Sequence, residues 1–374
     1  MRLIDKIKKM GSLLILSTCC LTSCNFLDVV PPEQAGLGDA VKKPESTLGF
    51  LYSCYAGIKG SSNPITYTGM EAASTDEFVF PELWGHSGQR AGWGLLTPES
   101  PGDWKWGNIY RYIGQCYLFL SQLPNALDVS EVQKREWTAE ANFLIAYYHF
   151  LILEYYGPCP ITDSYIDMDT PNNEYHGRYH FDYVTSWISM KLDEAAKDLP
   201  ASRIGSEWGR ATSTIAKAVK AQLLLLAASP LFNGNSDYIN VKDNQGRHLF
   251  PTQVDNSKWK LAADAALEAI NCAKENGHEK LYTFSLPINS ISAATRKLLD
   301  IGEAVTEKWN EEIIWGSTRN VNGLQTVAMA KHTKGSHYNA RSVLGPTLSV
   351  AEAFYSSNGV PISEDNSDFW TANY

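Results

Sequence analysis

The stretch that most constrains the fold is AEANFLIAYYHFLILEYYGPCPI at 139–161. Ala139, Phe143, Ala146, Tyr147, Phe150 and Leu151 recur every three to four residues, which puts them on one helix face. Ser130 with Gln133 forms a capping box ahead of this run and Gly157-Pro158 ends it, so a helix is predicted over 131–156. The same period, with its own start and stop signals, predicts helices over 45–58 after Pro44 and over 109–123 before Pro124. Three more follow: 181–199 before Pro200, 213–229 behind the cap Thr212, and 258–275 between Ser257 and Gly277. A core of helix on helix is therefore expected. The helices form successive pairs, 131–156 with 181–199 and 213–229 with 258–275. This suggests tetratricopeptide-like repeats with long insertions, although a strict repeat period is absent. The best strand-like run is EEIIWGS at 311–317, and the expected class is mainly α.

The first residues obey a different logic. Arg2, Lys6, Lys8 and Lys9 precede the apolar stretch GSLLILSTCCL, which is too short to span a bilayer but suits a signal peptide. Leu21-Thr22-Ser23-Cys24 matches a bacterial lipobox, in which the cysteine is acylated and becomes the first residue of the mature chain. Residues 1–23 are thus expected to be a lipoprotein signal peptide, 24–40 a lipid-anchored tether stiffened by Pro31 and Pro32, and 41–374 the folded body. Each buried methylene of the acyl chains contributes about 0.8 kcal/mol, so lipid on Cys24 replaces a transmembrane anchor.

The formal net charge is −9; removing residues 1–23 takes away four cations and one anion and leaves −12. That surface argues against nucleic acid or anionic lipid as ligand. Beyond Cys24 remain Cys54, Cys116, Cys159 and Cys272, spaced by 62, 43 and 113 residues without a paired-thiol metal motif. The four admit three disulfide pairings; the apolar helical setting of Cys116 favours a buried free thiol, and no essential disulfide is expected.

No nucleotide-binding or nucleophile-elbow fingerprint occurs. Asp76-Glu77 and Asp193-Glu194 are sequence neighbours rather than carboxylates opposed across a sugar, and Asp193-Glu194 suits a solvated helix face. His176 and His180 lie in a loop without the glutamate of a zinc motif. No catalysis, cofactor or metal is expected.

One composition feature does ask for a function. Trp84, Trp93, Trp104 and Trp106 place four of the eleven tryptophans within residues 84–106, among glycines and prolines that read as loop. Sugars present C–H faces that stack on indole and hydroxyls that need polar partners. Here Asp76, Glu77, His86, Gln89, Arg90 and Asp103 accompany the indoles. Trp104 and Trp106, at the mouth of a helix, suit core packing; Trp84 and Trp93 suit packing or a ligand platform equally. Candidate ligand-binding residues are Trp84, Trp93, Arg90, Asp76 and Gln89, with Tyr67 and Phe80 as weaker aromatics. Tyr175, His176, Arg178 and Tyr179 form a second polar-aromatic loop whose plainer reading is a solvated connection.

Six segments in order resemble the SusD/RagB family of outer-membrane nutrient-binding lipoproteins of Bacteroidetes. They are CNFLDVVPPEQ after the lipobox, ASTDEF at 73–78, WGNIYRYIGQCYLFL at 106–120, AEANFLIAYYHFLILEYYGPCPI at 139–161, GRATSTIAKAVKAQLLLLAASPLFNG at 209–234 and GPTLSVAEAFYSSNGVPI at 345–362. The resemblance implies a helical scaffold of four repeat-like pairs and capture of a glycan or other nutrient at the cell surface. It also implies a partner, a SusC-like TonB-dependent outer-membrane transporter over which the protein sits as a lid. Family members continue for a hundred residues or more past this point, so the chain is expected to be a C-terminally shortened member. They also carry Asn where this chain has Tyr117, so the hydrogen bond made there by relatives is expected to be missing. The alternative function is a repeat-scaffold lipoprotein for protein interaction or assembly without sugar binding.

Overall fold

The structure, a computed structural model, describes residues 36–58, 75–79, 87–97, 99–100, 105–167, 169–171, 174–278, 280–285, 291–317 and 345–365. Cys24, Tyr67, Phe80, Trp84, His86, Asp103 and Trp104 lie outside the described residues.

Among the described residues the helices are α1 (Pro44–Cys54), α2 (Ser87–Gly92), α3 (Lys105–Gln122), α4 (Glu131–Tyr156), α5 (Phe181–Asp198), α6 (Ser213–Ala228), α7 (Ser257–Glu275), α8 (Ala293–Thr306) and α9 (Leu348–Glu352). Each long helix packs on its chain neighbour: α1 on α3, then α3 on α4, α4 on α5, α5 on α6 and α6 on α7. This nearest-neighbour order is that of a helical solenoid. Its three packed pairs are α1 with α3, α4 with α5, and α6 with α7. Among the described residues α8 stands singly where the resemblance implies a fourth pair, tied to the chain before it by Phe284 N–H on Asp300 (2.7 Å) and Arg296 on the Phe284 carbonyl (3.2 Å).

The centre is α4. From Ala141 to Leu153 every residue but Asn142 is buried, because α3 and α5 flank it and α1 and α6 also touch it. A helix apolar all round must be enclosed in this way. Its capping box is formed as expected, Ser130 Oγ accepting from Gln133 N–H at 3.3 Å, and Gly157 stops it at φ +67°. Thr212 caps α6 as expected, accepting from Ile215 N–H at 3.2 Å. In α7 the buried residues are Ala262, Ala265, Ala269, Cys272 and Ala273, small side chains that let it lie close on α6.

Several expectations change. Residues 311–317 form turns and bends rather than a strand, because Trp315 turns inward onto the core and the following Gly316 packs against Trp309. Among the described residues the sheet content is one short antiparallel pair, β1 (Phe78–Val79) with β2 (Gly345–Pro346). It joins two of the six resemblance segments: Thr347 N–H donates to the Glu77 carbonyl at 3.0 Å, and its hydroxyl donates to the Asp76 carbonyl. The end of the expected tether is structured, since Leu37–Val41 is a 3-10 turn with Val41 buried and accepting from Leu127 N–H at 3.1 Å. Tyr117, where the resemblance implies Asn, donates from its phenol to the Thr162 carbonyl at 2.9 Å. Asp193, expected on a solvated face, pairs with Lys220 of α6 at 2.8 Å.

The loop between α6 and α7 folds back over α5, where Phe181, Phe232 and Phe250 stack and Phe181 N–H donates to the Leu249 carbonyl at 2.8 Å. Gly234 makes this possible. It sits at φ +73°, and a Cβ there would lie 2.5 Å from the Val254 nitrogen. Gly234→Ala therefore combines left-handed strain with a backbone clash and is expected to cost at least about 2 kcal/mol. Gly246→Ala, at φ +78° with open space around it, should cost only about 1 kcal/mol. Urea midpoints of the two variants check the difference; equal losses would mean that strain alone acts at Gly234.

Candidate functional site

The tryptophan-rich stretch expected as loop contains α2, and its described end is a closed structure. Leu95 N–H donates to the Arg90 carbonyl (2.8 Å) and Gly94 N–H to the Ala91 carbonyl (2.9 Å), with Gly94 at φ +67°. This is a Schellman cap, and it explains the glycine after Trp93. Trp93 is the cap residue and remains 48% exposed. The Arg90 guanidinium donates to the Leu95 carbonyl (3.2 Å) and the Ser100 hydroxyl (2.8 Å), so it holds the turn that presents Trp93. Asp76 is exposed and sits on the separate β1–β2 element. Gln89 lies in α2, with its side chain outside the described residues, as are Trp84 and Tyr67. Arg90 and Trp93 thus share one turn, and Asp76 belongs to another element. Trp106 packs as expected: it meets Tyr156 edge-on at 5.2 Å and lies under the Arg178 guanidinium, which donates to the Pro158 carbonyl at 2.5 Å.

A second concentration of aromatics, which the sequence reading missed, surrounds a cavity of about 560 Å³. Its floor is Tyr147 of α4 and Trp315, ring centroids 5.0 Å apart and edge to face. One wall is the end of α1 and the 3-10 turn after it, with Tyr52, Tyr55 and Ile58; the other is the turn Ser206–Arg210 with Trp208. Trp315 is fixed by its indole N–H, which donates to the Gly209 carbonyl at 3.0 Å, and by edge contact with Phe143 at 5.5 Å. Trp208 leans on Trp309 at 4.8 Å. Behind Trp208 and Trp315 lies a smaller cavity of about 360 Å³, lined also by Asn276, His278 and Asn310.

The polar side of the main cavity is rigid. Glu140, on α4 and wholly buried, accepts from Arg203 (2.9 Å), from Arg210 at two atoms (2.5 and 3.1 Å), and from the Tyr55 hydroxyl. Arg203 also reaches Glu136 and Arg210 also reaches Glu207, each at 2.5 Å. Tyr55 oxygen accepts in turn from Ala211 N–H at 2.9 Å. Burial, then the Glu140 charge, hold the Tyr55 phenol well above its ordinary value, so it stays a donor. Burial opposes the Arg210 charge, but the contacts to Glu140 and Glu207 raise its affinity for the proton further.

This arrangement offers indole and phenol faces with a few polar residues, Arg210, Ser206 and Ser317, in a volume typical of small-molecule sites. Among the described lining residues none is a carboxylate, whereas glycoside hydrolysis uses two. A signal was available in the sequence: five of the eleven tryptophans, at 84, 93, 106, 208 and 315, are followed by glycine. Gly209 adopts φ +88°, and a Cβ at Gly316 would come within 2.9 Å of Trp309.

The chain resembles known proteins in sequence and in fold. A SusD-like family model, described as starch-binding associating with outer membrane, matches residues 53–224. No curated protein matches. Among solved structures the protein BT4246 is 40% identical with a TM-score of 0.76, the match covering 87% of this chain and 59% of that one. Its selenomethionine form gives 0.73. A SusD-like protein of Bacteroides fragilis, BF3747, shares the fold at 19% identity and a TM-score of 0.61, over 88% of this chain and 57% of that one. The chain therefore spans less than two thirds of the length of these relatives. Residues 53–224 are thus SusD-like in sequence, and the mainly α-helical stack follows BT4246 along most of the chain's length.

Proposed function

We propose that this chain captures a glycan at the cell surface without cleaving it, held to the outer membrane by lipid on Cys24, and passes it to a SusC-like TonB-dependent transporter. The observation that carries the reading is the aromatic cavity, where Trp208, Trp315 and Tyr52 supply stacking faces beside Arg210, whose guanidinium is held by Glu140. The exposed Trp93, with Trp84, Gln89, Asp76 and Tyr67, is the second contact region of this proposal, and Arg90 positions it. A scaffold role in protein assembly is favoured by a different observation, the exposed stripe of Leu298, Ile301 and Val305 on α8.

Native affinity electrophoresis across a polysaccharide panel separates the readings. Retardation by one polysaccharide is expected, and Trp208→Ala should weaken it about tenfold, the loss of one stacked ring. Loss in Trp93→Ala but not in Trp208→Ala would move the site to the α2 turn. No retardation of the unaltered protein by any polysaccharide would leave the assembly role.

A further inference from the structure

Two cysteines meet across the contact of α1 with α3. Cys54 ends α1 and Cys116 lies in the middle of α3, and both are wholly buried. The Cys54 sulfur is 3.7 Å from the carbonyl of Gln115, the residue before Cys116; both thiols are free in this structure, and Cys54 is near enough to raise the pKa of Cys116. Their surroundings hold them in place. Gln115 donates to the Ser53 hydroxyl at 2.8 Å, and Tyr148 of α4 donates to the Cys54 carbonyl at 2.5 Å. The other two cysteines lie elsewhere: Cys159 beside Tyr110, and Cys272 against Thr214 at 3.4 Å.

We propose that Cys54 and Cys116 are a disulfide-forming pair, closed by a thiol–disulfide oxidant while the exported chain folds, and that the bond fastens one wall of the aromatic cavity to α3. The wall in question is the end of α1, where Tyr52 and Tyr55 flank Cys54. In the first step one cysteine thiolate attacks the oxidant's disulfide, forming a mixed disulfide and releasing one oxidant thiolate. The second cysteine sulfur then attacks the mixed disulfide and expels the other. Two S–H bonds of the chain give one S–S bond, two electrons pass to the oxidant's sulfurs, and both protons end on its thiols. The exchange belongs to folding rather than to the finished protein, because burial and the neighbouring thiol push Cys116 well above its ordinary value and so suppress its thiolate. The link would close the 62-residue span that carries Trp84, Arg90 and Trp93, and so restrict the unfolded chain.

The test uses the full chain exported by its own signal and purified without reductant. It is quenched in acid, denatured with N-ethylmaleimide and digested for mass spectrometry. A linked peptide joining Cys54 to Cys116, with maleimide on Cys159 and Cys272, is the expected result. Reductant should then lower the thermal midpoint by roughly 5–10 °C, and the Cys54→Ala, Cys116→Ala double variant should show no such dependence. Maleimide on all four cysteines, both in exported protein and in protein refolded with oxidised glutathione, would overturn the proposal. So would a link through Cys159 or Cys272.

Discussion

Glu140→Ala should lose about 3–5 kcal/mol of folding stability, the largest effect expected of any single side chain here. The carboxylate has no contact with solvent and accepts from two guanidinium groups and a phenol. Its removal leaves Arg203 and Arg210, both with side chains under a tenth exposed, facing a void with charge that Glu136 and Glu207 compensate only from one side. The desolvation of two cations is then no longer offset, which is why breaking a buried pair costs more than the pair itself contributes. The measurement is urea unfolding, with a lower midpoint and an unchanged slope. Glu194→Ala is the control: that carboxylate is half exposed and pairs with Lys191 at 3.3 Å, so its loss should stay within about 0.5 kcal/mol. If Glu140→Ala costs no more than the control, the network does not hold the cavity together. A second readout follows from position, since Tyr55 and Arg210 both line the cavity and both lose their shared acceptor. Glycan affinity should fall with stability, whereas Trp208→Ala should lower affinity alone.

How far the sequence carried depends on the range of the signal. The capped helices were legible because caps and periodicity act within a few residues, as at Ser130–Gln133 and Thr212–Ile215. The short α2 was hidden among glycines, although Gly94 at the fourth residue after Arg90 is a cap signal in its own right. The run 311–317 looks like a strand because Ile313, Ile314 and Trp315 are β-branched or aromatic, whereas the inward turn of Trp315 is held by Gly209, 106 residues away. The cavity was illegible for the same reason: Tyr52, Tyr147, Trp208 and Trp315 come from four separate segments that only tertiary packing brings together. The one dense local cluster, 84–106, drew attention because it is local, and the part of it that is described shows a cap and a packed indole before it shows a platform.

Lowering the pH from 7 to 4 should cost the protein about 3 kcal/mol through His149 alone. The ring is wholly buried on α4, between Trp187 (4.7 Å) and Tyr110 (6.3 Å). Its Nδ1 is 2.8 Å from the Ile145 carbonyl and so carries the hydrogen; its Nε2 accepts from Thr162 N–H at 3.1 Å. Protonation would set a second N–H against that of Thr162 and place a charge in an apolar site. Burial accordingly lowers the group from its ordinary 6.5 to about 4, against a smaller opposing effect of the Ile145 carbonyl. Above pH 6.5 the ring is neutral folded or unfolded, and stability does not depend on it. Between 6.5 and about 4 the unfolded chain takes up a proton that the folded chain refuses, so stability falls by up to about 1.4 kcal/mol per pH unit. Below about 4 both forms are protonated and the loss is complete. His149→Leu keeps the volume but gives up the acceptor for Thr162, so it should start less stable at pH 7 and lack this descent. Urea unfolding of both proteins from pH 8 to 5, above most carboxylate titration, decides the matter: converging curves assign the descent to His149, and parallel curves would show that the ring is not held neutral by the fold.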